Sequence, residues 1–329
     1  MRAFRPASCL VGIVALATAT GALSVGRTEG AAALPLASVA RSCAHIEARL
    51  ASVHPEHCAL SALRASGVAS VEGWPLLYAD FPAVTKPSDG RPPVRVLLFG
   101  GIHGDELSSV SVVFQFMAEL QQRQNRSMHW RVIPALNPDG LLRRPATRVN
   151  ANGVDLNRNF PSPDWQRAAL PHWRQQTGSD PRRYPGPDAL SEPESQWLAE
   201  QIIRFAPDVV VAMHAPLGLL DFDGRRHEAP ERLGFLKLDQ LGTYPGSLGR
   251  WAGEYLGIPV VTPELPHAGI MPTARQAAEM WRDLEQWIVQ HVAPGLPVAP
   301  DIADRDARQA GPWLTPPPLP VQLRGVLPH

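Results

Sequence analysis

The sequence has almost no lysine, and its charges cancel. Of 31 basic residues only Lys86 and Lys237 are lysines, and 31 acidic residues balance the total to a formal net charge of zero. A chain without excess charge gives no reason to expect nucleic acid or an anionic membrane as a partner. A hydrophobic content of 44% and a charged content of 19% are typical of a soluble globular protein. At 329 residues, one large α/β domain or two small domains would fit.

An uncharged apolar run, Cys9 to Val25, lies near the N-terminus. Arg2 and Arg5 precede this run, and small residues follow it. This order is typical of a secretory signal peptide, which we assign to residues 1–33 with the cleavage point left open. The expected location is therefore periplasmic or secreted, with no stable membrane span after signal removal. Because the run is only slightly short for a membrane span, an uncleaved N-terminal anchor stays open as the alternative.

Cysteine is scarce, and only two cysteines follow the predicted signal peptide, Cys43 and Cys58. In an exported protein an even number of cysteines favours a disulfide. The spacing alone allows two unpaired cysteines on a helix equally well, so the expected bond depends on export.

The rest of the chain divides into three regions. Residues 34–70 are predicted to form a small helical cap, because the stretch from Ala44 to Ser66 is polar and helical in pattern. Residues 71–293 are predicted to form the main domain. Residues 294–329 are rich in proline and lack apolar periodicity, which predicts an extended or disordered tail outside the fold.

Strands and helices alternate through the main domain. The apolar runs predict buried strands at Val94–Gly100, Arg131–Leu136, Asp208–Met213 and Ile258–Thr262. One predicted helix begins with a capping box formed by Ser191 and Glu194 and ends near Phe205, and another begins at Thr273 with Gln276 at the third position. The alternation predicts an α/β fold with a mixed, mainly parallel twisted sheet and helices on both faces.

Candidate metal ligands and a candidate base follow three of these predicted strands. His103 and Glu106 come after the first strand, His214 follows the strand ending at Met213, and Glu264 follows the strand ending at Thr262. In an open parallel sheet such positions converge at the carboxyl edge. Two imidazoles and one carboxylate form a typical three-ligand catalytic zinc site with an open position for water. A further carboxylate nearby can accept the proton of that water.

Four longer motifs resemble those of the zinc carboxypeptidase family in order and spacing, from about residue 71 to 292. They are Gly100–Glu106, Asn137–Gly140, Asn150–Pro161 and Gly186–Ser195. The resemblance implies a zinc carboxypeptidase-like fold for the catalytic domain at 71–293. It also implies one Zn²⁺ per chain held by His103, Glu106 and His214, and Glu264 as general base.

The resemblance also implies residues that bind the substrate. Asn157 and Arg158 resemble the pair that binds the terminal carboxylate of a peptide, a role that suits a guanidinium fork. Arg148 resembles the arginine that stabilises the oxyanion, with Arg143 and Arg144 as alternatives. Tyr244 lies near the position of a mobile active-site tyrosine in the family, although a packed tyrosine is an equal alternative.

Within the family the motifs are most similar to those of the murein peptide amidases, which hydrolyse the γ-D-glutamyl–meso-diaminopimelate bond. The implied substrate is therefore a peptide, in particular a murein tripeptide. Asp221 and Asp223 are candidates to bind the diaminopimelate amine, with a solvated acidic turn as the alternative. Other open alternatives are a general metallocarboxypeptidase, an N-acyl-amino-acid deacylase and a zinc-dependent protein that only binds peptide ends.

Overall fold

The structure of the protein, a computed structural model, describes residues 30–59 and 63–298. Most of the predicted signal peptide and the proline-rich tail from residue 299 onward lie outside the described residues. The strands are β1 (Leu63–Ala69), β2 (Pro75–Phe81), β3 (Arg95–Gly100), β4 (His129–Ile133), β5 (Val209–Met213), β6 (Leu219–Asp223), β7 (Arg232–Leu233), β8 (Leu236–Lys237) and β9 (Val260–Glu264). The α-helices are α1 (Gly30–Arg49), α2 (Pro55–Ala59), α3 (Leu107–Gln122), α4 (Pro138–Leu142), α5 (Trp165–Gln176), α6 (Pro193–Phe205) and α7 (Ala274–Trp287). Short 3₁₀ segments occur at Leu156–Arg158, Pro181–Arg183 and Ala293–Gly295, and π-helical segments at Gly249–Tyr255 and Ile288–Val292.

A seven-stranded mixed sheet forms the centre of the fold, in the order β1-β2-β4-β3-β5-β9-β6. The four central strands β4, β3, β5 and β9 are parallel, whereas β1, β2 and β6 pair antiparallel. The four strands predicted from the sequence are these four central ones, with boundaries shifted by one or two residues in most cases. The expected mixed, mainly parallel sheet is confirmed.

Helices cover both faces of the sheet, as the sequence predicts. In β3, Val96 and Leu98 pack into one apolar cluster, while Leu97 and Phe99 pack into another. The first cluster includes residues of α1, α3 and α7, and the second includes residues of α6 and of the π-helical segment. Because successive side chains of a strand point to opposite faces, a strand buried on both faces must be apolar throughout.

The N-terminal region differs from the predicted helical cap. Helices α1 and α2 are present, but Leu63–Ala69 forms β1, which pairs with β2 and extends the central sheet. The helical prediction is therefore wrong for residues 63–66, because pairing with a neighbouring strand overrides a weak local preference. A disulfide joins Cys43 of α1 to Cys58 of α2, which confirms the predicted pair.

The starts of α6 and α7 differ in how well the sequence predicted them. Thr273 caps α7 in a capping box with Gln276, as expected. In α6 the predicted capping box is wrong: Glu192 is the N-cap, and no side chain caps the helix. Pro193 begins this helix, at a position where a missing backbone N–H costs nothing. The hydroxyl of Ser191 does not cap the helix but donates a hydrogen bond of 2.7 Å to Glu192 Oε1.

The chain just beyond the predicted main domain still contacts the fold. The first residues of the predicted tail pack on it, since Leu296 contacts the larger apolar cluster and its carbonyl accepts a hydrogen bond of 3.1 Å from Arg91 Nε. Within the described ranges, no helix is long and apolar enough to span a membrane.

Candidate active site

The carboxyl ends of three neighbouring parallel strands bring the predicted metal ligands together. His103 and Glu106 lie in the turn between β3 and α3, and His214 directly follows β5. Glu264 is the last residue of β9 and forms an isolated bridge with His214. The expected convergence of these four side chains is confirmed.

The three candidate ligands form one compact, buried cluster. The ligand atoms of His103, Glu106 and His214 all lie within 4.8 Å of one another. Glu106 lies between the two imidazoles: its Oε1 is 2.7 Å from His103 Nδ1, and its Oε2 is 3.1 Å from His214 Nδ1. Burial disfavours charge on Glu106, but the two histidines outweigh it and hold the pKa of the carboxyl well below its usual range. Two imidazoles and one charged carboxylate, all converging on one point, fit a divalent zinc ion.

Glu264 lies beside this cluster but has a different environment. Its side chain is 8% exposed, and its buried Oε2 accepts no hydrogen bond from any described residue. Burial raises its pKa and outweighs the opposing effect of His214, and the neighbouring Glu106 adds a smaller rise. A buried carboxylate oxygen without a partner is costly, so this atom is available to a ligand or to a proton.

A tight turn positions His103 and Glu106. A Cβ at Gly104 would collide with the backbone of Gly140, so only glycine lets the two loops approach so closely. Asn137 supports the same junction, since its Nδ2 donates 3.2 Å to the carbonyl of Arg148.

Of the three candidate oxyanion arginines, Arg148 is the one that reaches the cluster. Its Nη1 lies 3.6 Å from Glu106 Oε1, and its Nε donates 3.0 Å to Asp155 Oδ2. Arg143 instead pairs with the exposed Glu72. Burial lowers the pKa of Arg148, but Asp155 and Glu106 outweigh that effect and raise it, so the guanidinium stays charged.

Asn157, Arg158 and Tyr244 line the same pocket as the cluster. The guanidinium of Arg158 lies over the ring of Tyr244, with 4.5 Å between Cζ and the ring centroid. Arg158 is only 8% exposed, and it forms no ion pair with any carboxylate in the described part of the chain. The Oδ1 of Asn157 accepts 2.9 Å from the backbone N–H of Leu248. Arg158 Nη1 donates a hydrogen bond of 2.7 Å to the carbonyl of Asn157. A buried guanidinium that faces a pocket without a carboxylate partner is suited to an anionic ligand.

The pocket itself has a volume of about 380 Å³. Arg148, Arg182 and Arg183 contribute to its wall, and Asp221, Asp223 and Leu241 line it as well. The alternative of a solvated acidic turn is therefore wrong for both acids, because they belong to strand β6 and face the pocket.

A model of the zinc carboxypeptidase family matches residues 46–220 of this chain. The chain is 35% identical over 205 residues to murein peptide amidase A of Escherichia coli (strain K12), which covers 60% of this chain and 78% of that protein. Murein peptide amidase A of Vibrio campbellii is 34% identical over 204 residues, covering 60% of this chain and 77% of the relative.

The chain belongs to the zinc carboxypeptidase family.

Family membership makes the chain a hydrolase of the metallopeptidase class. The solved structure of thrombin activatable fibrinolysis inhibitor is 20% identical and covers 69% of this chain and 68% of that chain, with a TM-score of 0.51. At this identity the match shows a shared fold alone. Both findings agree with the family resemblance seen in the motifs.

In this zinc carboxypeptidase Asp155 also belongs to the site, although it was not predicted from the sequence as a site residue. This carboxylate is fully buried, and its Oδ1 lies 3.1 Å from His103 Nε2 while its Oδ2 accepts from Arg148. Burial raises its pKa, but Arg148 and then His103 outweigh that and hold it well below the usual range. Asp155 thus fixes the orientation of a candidate ligand and of a candidate oxyanion arginine. Its place two residues before Asn157 in the quoted motif is the signal that could have found it.

A second group of residues, which was not predicted from the sequence, holds the segment 150–159 in place by hydrogen bonds to the start of α6. Asn150 Nδ2 donates 2.7 Å to Glu192 Oε2 and 3.1 Å to Glu194 Oε2. Asn152 Nδ2 also donates 2.8 Å to Glu192 Oε2. Asn159 is tied to the start of α6, since Ser195 Oγ donates 2.6 Å to its Oδ1. We call Asn150, Asn152, Asn159, Glu192 and Glu194 the support network.

Proposed function

We propose that this protein is a zinc-dependent peptidase that hydrolyses the amide bond before the C-terminal residue of a murein peptide. The observation that carries the proposal is a shared pocket. One pocket contains the buried His103–Glu106–His214 cluster, the unpaired carboxylate oxygen of Glu264 and the guanidinium of Arg158, which forms no ion pair with a described carboxylate. These groups are, respectively, a metal site, a base and an anchor for a terminal carboxylate.

His103, Glu106 and His214 would hold one zinc ion. Zinc bound there supplies Lewis acidity toward the scissile carbonyl and lowers the pKa of a water molecule to about 7. Asp155 keeps His103 in one tautomer, because its carboxylate takes the Nε2–H and leaves Nδ1 facing the cluster.

Glu264 is the proposed general base. Its Oε2 is free to accept the proton of the attacking water and to pass it to the leaving amine. Arg148, held by Asp155, carries a fixed positive charge beside the cluster. That charge stabilises the negative oxygen that develops on the attacked carbonyl.

Arg158 and Asn157 are the proposed anchors of the terminal carboxylate. A guanidinium can donate two parallel hydrogen bonds to a carboxylate, which favours a chain end over an internal peptide bond. Tyr244 covers the face of Arg158 and is the proposed wall of this subsite.

The murein substrate is supported by the similarity to murein peptide amidase A of two bacteria. The test is to incubate the zinc-loaded protein with the tripeptide L-alanyl-γ-D-glutamyl-meso-diaminopimelate and with ordinary C-terminal peptides, and to identify products by mass. We expect release of diaminopimelate from the tripeptide. Release of residues from ordinary peptides alone would indicate a general carboxypeptidase, and binding without any product would indicate a peptide-end binding protein.

We propose further that the protein acts in the periplasm or outside the cell. The Cys43–Cys58 disulfide supports this location, because such bonds persist in oxidising compartments. Counting thiols in the denatured, unreduced protein purified from its native cells should find none at these two positions. Two free thiols there would contradict both the bond and the proposed export.

A further inference from the structure

The disulfide between Cys43 and Cys58 closes a short loop that runs from α1 into α2. The two cysteines are 15 residues apart in the sequence. Arg49, the last residue of α1, and Ser52, in the turn that follows, both lie inside this loop. We call residues 43–58 the disulfide loop. Neither Arg49 nor Ser52 lines the active-site pocket, so any effect of these two residues on the site must be indirect.

Arg49 acts on one side of the ligand turn, residues 103–106, through helix α4. Its Nε donates a hydrogen bond of 3.1 Å to the carbonyl of the fully buried Leu141, 92 residues away in the sequence. The last carbonyls of a helix have no partner within the helix. The residue four positions after Leu141 is Pro145, which has no N–H to donate. Arg49 therefore supplies the donor that the end of α4 lacks.

The end of α4 is in direct contact with the ligand turn. A Cβ at Gly104 would overlap the peptide bond between Gly140 and Leu141, so the two backbones leave no space between them. The N–H of Gly104 also donates 3.3 Å to the carbonyl of Arg148. Because protein interiors are close-packed, a shift of Leu141 must displace Gly104 and with it the ligands that flank this glycine. The hydrogen bond from Arg49 thus lies one peptide unit away from the ligand turn.

Ser52 acts on the other side of the ligand turn through helix α3. Its Oγ donates a hydrogen bond of 2.7 Å to the Oγ of the buried Ser111 in α3. Glu106 is the N-cap of the same helix. Ser109 Oγ donates 2.7 Å to the carbonyl of Glu106, which ties the first turn of α3 to this ligand. The start of α3 therefore connects Ser52 to a metal ligand.

The disulfide loop is also packed into the core. Leu50 and Val53 are buried, and they belong to the same apolar cluster as the two cysteines and the buried residues of α3. A cross-link restricts the conformations open to the chain that it closes. The bond therefore holds two hydrogen-bond donors in place, one on each side of the ligand turn.

We propose that the disulfide loop positions the zinc ligands His103 and Glu106, with Arg49 acting through α4 and Ser52 through α3. The inference rests on the proposed zinc site. Groups around the ligands of a metal fix the orientation of those ligands, and their loss weakens metal binding even when every ligand is present. Arg49 and Ser52 hold the elements that flank the ligands, so they are positioning residues. The closed disulfide loop is accordingly a condition for tight zinc binding.

The test measures how fast zinc leaves the folded protein. The zinc-loaded full chain is mixed with an excess of the chromogenic chelator 4-(2-pyridylazo)resorcinol, and zinc transfer is followed by absorbance. Arg49→Ala and Ser52→Ala should each lose zinc about three- to tenfold faster than the wild type, the change expected for one lost hydrogen bond. Arg49→Lys still offers a donor to the Leu141 carbonyl and should recover much of the wild-type rate.

The matched control is Arg126→Ala. Arg126 also donates to a carbonyl near the end of a helix, with 3.0 Å from its Nη1 to the carbonyl of Leu120, but at the end of α3 that lies away from the ligand turn. This variant removes the same kind of bond from the helix that Ser52 contacts, so it measures how a general loss of stability affects zinc release. It should release zinc at the wild-type rate. Circular dichroism checks that each variant is folded during the transfer.

The role of the disulfide is tested by combining variants. Cys43→Ala/Cys58→Ala should also release zinc faster than the wild type. Adding Arg49→Ala to this variant should have little further effect, because the open loop no longer holds Arg49 in place. Fully additive effects would overturn the role of the disulfide.

Wild-type rates in both Arg49→Ala and Ser52→Ala, or an equal acceleration in Arg126→Ala, would overturn the inference as a whole. A wild-type chain that binds zinc but hydrolyses no peptide would contradict the proposed function alone, whereas a wild-type chain that binds no zinc would contradict both.

Discussion

Two groups of buried acids lie in or near the segment 150–159, and they differ in their partners. On the active-site side, Glu106 and Asp155 face two histidines and Arg148. In the support network, Glu192 and Glu194 face the amide groups of Asn150 and Asn152. Positive charge compensates the first group, whereas among the described residues the second group is compensated by amide dipoles alone.

The consequence appears in the pKa values. Cationic neighbours overcome burial and lower the pKa of Glu106 and of Asp155, so both stay charged. Glu194 has no such neighbour, and burial together with Asp139 raises its pKa to about 7. We infer that the active-site acids are built to hold charge for chemistry, while the support network fixes the backbone that carries Asp155, Asn157 and Arg158.

Removing one metal ligand should abolish zinc binding by the active-site group. We expect His103→Ala and His214→Ala each to lose stoichiometric zinc, because a catalytic site of this type has only three protein ligands. Metal analysis after dialysis measures the loss, and the exposed His267→Ala serves as the control that retains zinc. Full zinc in either ligand variant would show that the assigned ligand is wrong.

Glu264 separates metal binding from proton transfer within the active-site group. Glu264→Gln should keep the fold and the zinc but reduce kcat by two to four orders of magnitude, roughly the range of general base catalysis. Glu231→Gln, a change at an exposed position, should leave turnover unaffected. If Glu264→Gln retains most of the wild-type turnover, another group must accept the proton.

Arg158 tests whether segment 150–159 selects chain ends. The wild type should cleave a free-acid peptide about 100-fold better in kcat/KM than the amidated peptide, because the buried guanidinium otherwise has no carboxylate partner. Arg158→Ala should lose most of this preference, whereas Arg143→Ala, at an exposed ion pair, should keep it. Equal cleavage of both peptides by the wild type would exclude an exopeptidase. A preference for a lysine-ended over a diaminopimelate-ended tripeptide would contradict only the murein substrate.

The sequence predicts the active-site group better than the support network for a physical reason. His103, Glu106, His214 and Glu264 each follow a strong apolar strand, so the topology of a parallel sheet indicates where they meet. Ser191 and Glu194 fit the pattern of a capping box, but the pattern cannot reveal that buried amides compete for the same side chains. The contacts of Asn150 with Glu192 and Glu194 span 42 and 44 residues, and no local rule predicts such pairs.

The N-terminal part also shows that local sequence patterns do not predict long-range contacts. Leu63–Ala69 became a strand because β2 offers a free edge, which is a property of the assembled sheet. The helical pattern of Ala44 to Ser66 reflects only local preference. It therefore predicts the wrong structure for residues 63–66, where pairing with β2 decides the conformation.

Glu194 gives the smallest predicted effect, and it tests the support network directly. Its pKa rises from 4.5 to about 7 in the fold, so the folded state binds a proton that the unfolded state has released between these pH values. The free energy of unfolding should therefore fall as the pH rises from about 4.5 to 7, by up to roughly 3 kcal/mol from this residue alone. The side chain is fully buried, so solvent does not screen the effect.

Glu194→Gln should remove this contribution, because a glutamine cannot ionise. Urea unfolding at pH 5 and pH 8 should then show a smaller loss of stability in the variant than in the wild type, with the variant the relatively more stable protein at pH 8. Glu200→Gln, on the same helix but in a surface pair with Arg204, should keep the wild-type dependence. If Glu194→Gln and the wild type lose the same stability between these pH values, Glu194 is charged in the folded protein. The support network must then contain compensating charge, and the contrast with the active-site group would disappear.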